Sequence, residues 1–157
     1  MKFSFSALAL LWAASAVLAD PKIEVYFSPK GGCTEAVVDA LSKAKSNVLV
    51  QAYSFTSPAI AEALTEAHRR GVKVEVVLDK SNRTDRYSAA TFTQNYGIST
   101  FIDDRHAIAH NKIIIIDGRT VLTGSFNFTR QAEENNAENL LVIEDSGLAE
   151  KYTQPRD

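Results

Sequence analysis

Only one cysteine, Cys33, occurs in the 157 residues, so no intrachain disulfide can form and a cysteine-based zinc site is excluded. Histidine is almost as scarce. The three, His68, His106 and His110, do not stand at metal-ligand spacing on any one helix. Asp103-Asp104 with His106 is the nearest approach to a hard-metal set, and a solvated loop is its better reading. An excess of either charge is also missing: 17 Lys and Arg face 19 Asp and Glu, a net charge of −2. So mildly acidic a surface does not coat nucleic acid by net charge, and a polyanion has to be met by a local basic patch. Internal repeats and low-complexity tracts are lacking. Gly31-Gly32 is not followed by a Gly-x-x-x-x-Gly-Lys pattern, which leaves a turn rather than a phosphate cradle.

Long apolar runs are absent beyond the first 19 residues. There, Met1-Lys2 precedes a run from Phe3 to Ala19 that is interrupted only by serines 4, 6 and 15. Val17-Leu18-Ala19 before Asp20-Pro21 has the small residues of a cleavage site, so residues 1–19 read as a secretory signal peptide. An uncleaved anchor is the alternative, although the run is short for a span. Cleavage removes Lys2 and no acid, leaving 16 basic against 19 acidic residues, a net of −3. The expectation is a secreted or periplasmic protein with a single catalytic domain over residues 20–157. With the leader gone, no stable membrane association is expected. An unpaired cysteine in an exported chain is a free thiol or an intermolecular bridge, and the free thiol is favoured here.

Residues 23–27 alternate apolar and polar side chains, a strand signal. Thr34 is placed to cap a helix with Val37, Val38, Leu41 and Ala44 on one stripe. Residues 48–53 form an apolar, interior strand. Ser57-Pro58 opens a second helix that stops near Gly71. Residues 72–78 predict a strand, 88–96 a short helix ending at Gly97, and 99–102 another strand. A strand from His110 reaches Asp117-Gly118, a two-residue hairpin turn, and residues 120–123 return beside it. Residues 133–136 read as a polar connector, 140–143 as a last strand, and a helix begins at Ser146. This order predicts an α/β fold, a mixed β-sheet flanked by helices on both faces.

Chemistry concentrates in two stretches. His110-Asn111-Lys112 puts an imidazole and an ammonium two residues apart, on one face if the segment is a strand. Asp117 lies at an odd offset from His110, which turns it to the other face and makes it a structural residue pinning the hairpin. Gly124-Ser125-Phe126-Asn127 adds a hydroxyl and an amide, again on a shared face. The hairpin brings the two stretches together. Imidazole, ammonium, hydroxyl and amide suit one anion, a phosphate. Lys80, Arg83 and Arg86, in the polar loop after residue 78, are the candidate basic lip for substrate.

His110-x-Lys112 with Asp117 resembles the His-x-Lys-x4-Asp signature of the phospholipase D superfamily. Gly124-Ser125-Phe126-Asn127-Phe128-Thr129, Glu138-Asn139-Leu140, Tyr53-Ser54-Phe55-Thr56 and Arg70-Gly71-Val72 are similar to its small bacterial endonuclease branch. The likeness spans nearly the whole chain beyond the leader. It implies an α-β-α sandwich and metal-independent, cofactor-free phosphodiester hydrolysis through a phosphohistidine. His110 would be the nucleophile and Lys112 the charge that meets the non-bridging oxygens. Asn127 and Ser125 would donate further hydrogen bonds, and Glu138 would hold the second nitrogen of His110. That mechanism uses two histidines and this chain carries one motif, so the resemblance implies a homodimer with the site on its two-fold axis. The implied substrate is nucleic acid: DNA, with RNA a further candidate. A phospholipid hydrolase of the same superfamily is the alternative, and a non-catalytic phosphate-binding module a third.

Overall fold

A computed structural model describes residues 20–83 and 88–154; the leader read over residues 1–19, and Arg86, lie outside these. Seven strands and five helices follow in order: β1 (Lys22–Ser28), α1 (Cys33–Ser42), β2 (Asn47–Ala52), α2 (Pro58–Arg69), β3 (Lys73–Asp79), α3 (Ala89–Asn95), β4 (Ser99–Asp103), β5 (Lys112–Ile116), β6 (Thr120–Gly124), α4 (Arg130–Glu134), β7 (Glu138–Glu144) and α5 (Ser146–Thr153). One sheet holds all seven strands in the order β1-β7-β6-β5-β2-β3-β4. β2, β3 and β4 run parallel. The remaining neighbours are antiparallel, so the sheet is mixed.

Strand alternation explains the two layers. Val48, Val50, Val74, Val76, Leu78, Ile114, Ile116 and Leu122 are buried in one core with Val37 and Leu41 of α1 and Ile60 and Leu64 of α2. The intervening residues face the other way. There Ile115 and Val121 pack with Ala149 of α5, supported by Leu49, Ile113, Leu148 and Tyr152. Helices therefore cover both faces, as the element order predicts. α2 is the most regular of them. Ser57 Oγ accepts from the Ile60 N–H, Pro58 opens the first turn, and the buried Ile60, Ala61, Leu64 and Ala67 recur at helical spacing.

Three details differ from the sequence reading. α1 starts at Cys33 with Gly32 in the left-handed conformation as its cap, so Thr34 lies inside the helix. The free N–H groups of its first turn are taken by a distant carboxylate: Glu133 accepts from Thr34 N at 2.7 Å and from Gly32 N at 3.3 Å. Glu133 itself sits on a short helix, α4, where a polar connector was expected. Thr129 Oγ1 caps that helix by accepting from Ala132 N, and the fully buried Ala132 anchors it. Lastly, the hairpin after β5 has Asp117 and Gly118 both at positive φ, +54° and +60°, as a tight hairpin turn requires. The ladder closes at Ile116↔Thr120, so three residues rather than two separate the strands and Arg119 is the extra one.

Asp117 tolerates its left-handed backbone because its carboxylate is heavily bonded. It accepts from Ser46 N at 2.7 Å, Ser46 Oγ at 2.8 Å, Lys45 N at 3.0 Å and Asn47 N at 3.1 Å. Its own N–H donates to Asn47 O at 2.9 Å. The residue thus fastens the hairpin to the loop between α1 and β2. Burial pushes its carboxyl up, but the bonds from Ser46, Asn47 and Lys45 outweigh this and hold it below the usual aspartate value. Such a group contributes stability that is complete above its unfolded-state value and lost as pH falls through the folded one. Asp117→Ala is expected to lower unfolding free energy by about 1–3 kcal/mol. In urea titrations the difference from wild type should shrink below about pH 4. At a temperature where the variant stays folded, its turnover should match wild type; a variant as stable as wild type but inactive would assign Asp117 to the chemistry.

Candidate active site

The candidate residues gather at one end of the sheet. Lys112 opens β5 opposite Ala52, the last residue of β2. Gly124 closes β6 opposite Leu140 of β7, and Glu138, the first residue of β7, faces Ser28 at the end of β1. The site therefore lies outside the carboxyl ends of the parallel strands β2 and β3, where open α/β sheets commonly bind ligands.

His110 stands just before β5 rather than within it, and the backbone is pinned on both sides of it. Ala109 N donates to Asp79 Oδ2 at 2.7 Å, while Asn111 O accepts from Tyr53 N at 2.8 Å. Asp79 is buried at the end of β3 and also accepts from Ser81 N at 2.9 Å. Burial pushes its carboxyl up, yet the bonds from Ser81 and Ala109 prevail and hold it below the usual aspartate value. By sequence alone Asp79 reads as the first residue of a polar loop. The available signal was an Asp closing an apolar strand two residues before a Ser, the pattern of an Asx turn. The imidazole itself is exposed and lies against the Tyr53 ring, centroids 4.6 Å apart.

Lys112 is 6% exposed, an uncommon state for lysine. Its Nζ donates to His110 O at 2.8 Å and lies 5.0 Å from the centre of the Tyr53 ring. Burial lowers its pKa from the ordinary lysine value, and the charge of Glu138 opposes that shift. An ammonium has three donors, so two remain for a ligand. The imidazole and the ammonium are thus held in one unit, through a carbonyl and a shared aromatic ring.

The second stretch is set by its phenylalanines. Phe126 and Phe128 are wholly buried, and Phe128 meets Phe55 edge-on with centroids 6.1 Å apart. Alternation then turns Ser125 and Asn127 away from the core. Ser125 Oγ accepts from Asn139 N at 3.1 Å, which leaves its proton to donate elsewhere. Asn127 Oδ1 is buried without a hydrogen-bond partner among the described residues, an arrangement that calls for an explanation; being an acceptor it awaits a donor, and only the amide's Nδ2 could meet an anion. Gly124 makes the close approach possible: a Cβ there would stand 2.2 Å from Asn139 O.

Glu138 is half-buried. Its Oε1 accepts from Asn136 Nδ2 at 2.9 Å. The expected bond to His110 is not among the hydrogen bonds of the described residues. β6 lies between β7 and β5, so the two backbones stand about 10 Å apart at ordinary strand spacing. In the single chain Glu138 acts electrostatically on Lys112 instead. Of the basic lip, Lys80 Nζ donates to His106 O at 3.1 Å and Arg83 pairs with Asp104 at 3.1 Å. Both are tied to the segment that leads into His110, through exposed bonds that are individually weak. His106 Nδ1 meets Asp103 Oδ2 at 2.8 Å within a turn. Among the described residues no three His, Cys, Asp or Glu side chains are grouped to hold a metal ion. Cys33 is fully buried, and burial, with Glu133, Glu35 and Glu138 nearby, pushes its thiol up to about 11. It is inert and out of reach of an intermolecular bridge.

A family model described as cardiolipin synthase, PLD-like domain, matches residues 37–155. The chain belongs to the phospholipase D superfamily. It is 44% identical over 137 residues to a phospholipase D of Rickettsia conorii, covering 87% of this chain and 68% of that one. Among solved structures it resembles Nuc of Salmonella typhimurium, a phospholipase D family member, with TM-score 0.81, 43% identity, and coverage of 85% of this chain and 90% of the other. NucT from Helicobacter pylori follows, with TM-score 0.76, 27% identity, and coverage of 85% and 91%. This phospholipase D-superfamily member is accordingly a phosphodiesterase, with the α/β fold of those neighbours. Its Gly124 gives a direct check on the site. Gly124→Ala should displace Asn139 and the Ser125 hydroxyl and lower phosphodiester turnover more than about tenfold, since misplacement by an ångström has effects of that order. Turnover within twofold of wild type would show that this approach is not needed.

Proposed function

We propose that this phosphodiesterase is a metal-independent endonuclease that cleaves DNA, and RNA as a further substrate, through a phosphohistidine. The observation that carries the reading is the Lys112 ammonium, buried beside an exposed imidazole with two donors free. It supplies the positive charge that phosphoryl transfer otherwise draws from a metal ion. In the first step an imidazole nitrogen of His110 bonds to phosphorus as the phosphorus–oxygen bond to the leaving group breaks. The departing oxygen takes a proton from a second, protonated imidazole. Water then attacks the phosphohistidine, gives its proton to that second imidazole, and frees His110. Lys112, the Asn127 amide and the Ser125 hydroxyl meet the phosphoryl oxygens in both steps.

The second imidazole is assigned to a second copy of the chain. His106 is engaged by Asp103. His68 lies at the far end of α2 from Ser57, whose N–H donates to Phe128 O at 2.9 Å beside Asn127, about 15–18 Å along the helix. A homodimer placing two His110–Lys112 units on one axis completes the pair. It also offers the Glu138 of one subunit to the His110 of the other, the bond that a single chain does not make. Polymer over lipid is favoured by the resemblance of the Gly124–Thr129 stretch to the endonuclease branch and by exposed His110 and Ser125, which suit an internal phosphodiester of a long chain. Export by the leader over residues 1–19 is part of the same proposal.

A second reading, a phospholipid hydrolase, draws on one feature of the surface. Ile23, Val25 and Phe27 line one side of the edge strand β1, each at least half exposed. The names of the Rickettsia relative and of the matching family model both refer to phospholipids, the first as a phospholipase and the second as a synthase.

Protein purified without the leader should nick plasmid DNA in excess EDTA, and His110→Ala should reduce this by about 10³-fold or more. Activity lost in EDTA and restored by magnesium would refute the metal-free mechanism. Labelled cardiolipin vesicles assayed in parallel decide the substrate, with turnover of lipid alone selecting the second reading. The dimer has its own check. Specific activity should fall on dilution as subunits separate, His106→Ala should stay active, and a fully active monomer at nanomolar concentration would exclude the shared site.

A further inference from the structure

We propose that Tyr53 is a positioning residue, its ring serving as the common seat that sets the His110 imidazole and the Lys112 ammonium relative to each other. Tyr53 directly follows β2, beside the start of β5. The imidazole centroid lies 4.6 Å from its ring, tilted by 55°, and Lys112 Nζ lies 5.0 Å from the ring centre. Both distances fall within the range in which an aromatic face attracts a ring edge or a cation. An ammonium removed from water gains most from such a face, because solvent no longer competes for it. The same ring thereby limits the rotation of His110, the more exposed of the two.

Tyr53 is itself held firmly. Its N–H donates to Asn111 O at 2.8 Å, the residue between His110 and Lys112. Its carbonyl accepts from Asn82 Nδ2 at 2.7 Å. Asn82 is buried, donates also to Asp79 O at 3.1 Å, and accepts from Ser88 Oγ at 3.1 Å. A chain of fixed bonds thus runs from the end of β3 to the Tyr53 backbone, and the ring carries it to both functional side chains. Lys112 Nζ lies over the ring and the His110 imidazole packs against it at a tilt, so the phenol oxygen is not required for the role.

Two measurements test this, and the first stands independently of the phosphodiesterase reading. In wild-type protein the His110 ring and Lys112 Cε proton resonances should carry the displacement that an aromatic ring imposes on nearby nuclei. Tyr53→Leu should remove it from both together, while Tyr53→Phe keeps it. Resonances unmoved in Tyr53→Leu would overturn the placement. The second measurement rests on the proposed activity, with bis(p-nitrophenyl) phosphate as the probe. Tyr53→Leu should lower kcat about tenfold with KM nearly unchanged, and Tyr53→Phe should restore kcat to within about threefold. An unchanged kcat in Tyr53→Leu, or a loss in Tyr53→Phe equal to that in Tyr53→Leu, would refute the positioning role. An inactive wild type would refute the phosphodiesterase reading and leave the resonance test in force. Should Tyr53→Leu not fold, fluorinated phenylalanines at position 53 keep the ring's shape while weakening its negative face. Lys112 and kcat should then respond stepwise with fluorine number, and a flat series would overturn the proposal.

Discussion

A lysine ammonium is held out of water at the end of a central strand, and much of the surrounding structure is arranged around that constraint. An isolated buried charge is expensive, and it persists only where partners replace the solvent it has lost. Lys112 has three: the His110 carbonyl, the face of Tyr53 and the nearby charge of Glu138. Each belongs to a different part of the chain, namely the approach to β5, the exit from β2 and the start of β7. Keeping the charge therefore requires those segments to meet, and a mixed sheet with β5 between β2 and β6 achieves it.

The same requirement explains the rigidity of the segments leading into the site. Asp79 and Asn82 fix the backbone of residue 109 and of Tyr53 from the end of β3. Phe126 and Phe128 fix the second stretch from within the core; a buried phenylalanine is worth about 1.5–3 kcal/mol relative to an exposed one. Together they present Ser125 and Asn127 to the site from a buried anchor, and the Asn139 N–H holds the Ser125 hydroxyl at the surface. Functional groups placed on strand ends and supported from behind in this way keep their geometry better than groups on free loops. Two groups lack the partners expected of them among the described residues: the His110 imidazole has no carboxylate, and Asn127 Oδ1 has no donor.

Several elements were legible in the residues alone because their signals are local. Ser57-Pro58 and Gly71 bracket α2 through capping and backbone freedom. The alternation of residues 23–27 and the apolar runs of β2 and β3 mark strands, and Asp117-Gly118 marks a hairpin. Others were hidden because their partners are remote in sequence. α1 takes its N-terminal cap from Glu133, about a hundred residues away, so Thr34 looked like the better candidate. α4 is a single turn whose formation rests on burying Ala132, and a polar composition conceals that. Asp79 reads as one more loop carboxylate until Ala109 is brought to it.

What the sequence by itself determined is the chemistry available: an imidazole and an ammonium two residues apart, with a hydroxyl and an amide beyond a hairpin. That follows from covalent spacing and the two-residue period of a strand. What only the tertiary structure decided is the state of those groups. Burial depends on which strands become neighbours, and it turns Lys112 from a surface charge into a desolvated one. Neighbouring strands also put Tyr53 beside both His110 and Lys112 and set β6 between Glu138 and His110. The spacing of residues along the chain carries no information about such distances, because they arise from the order in which distant strands pair.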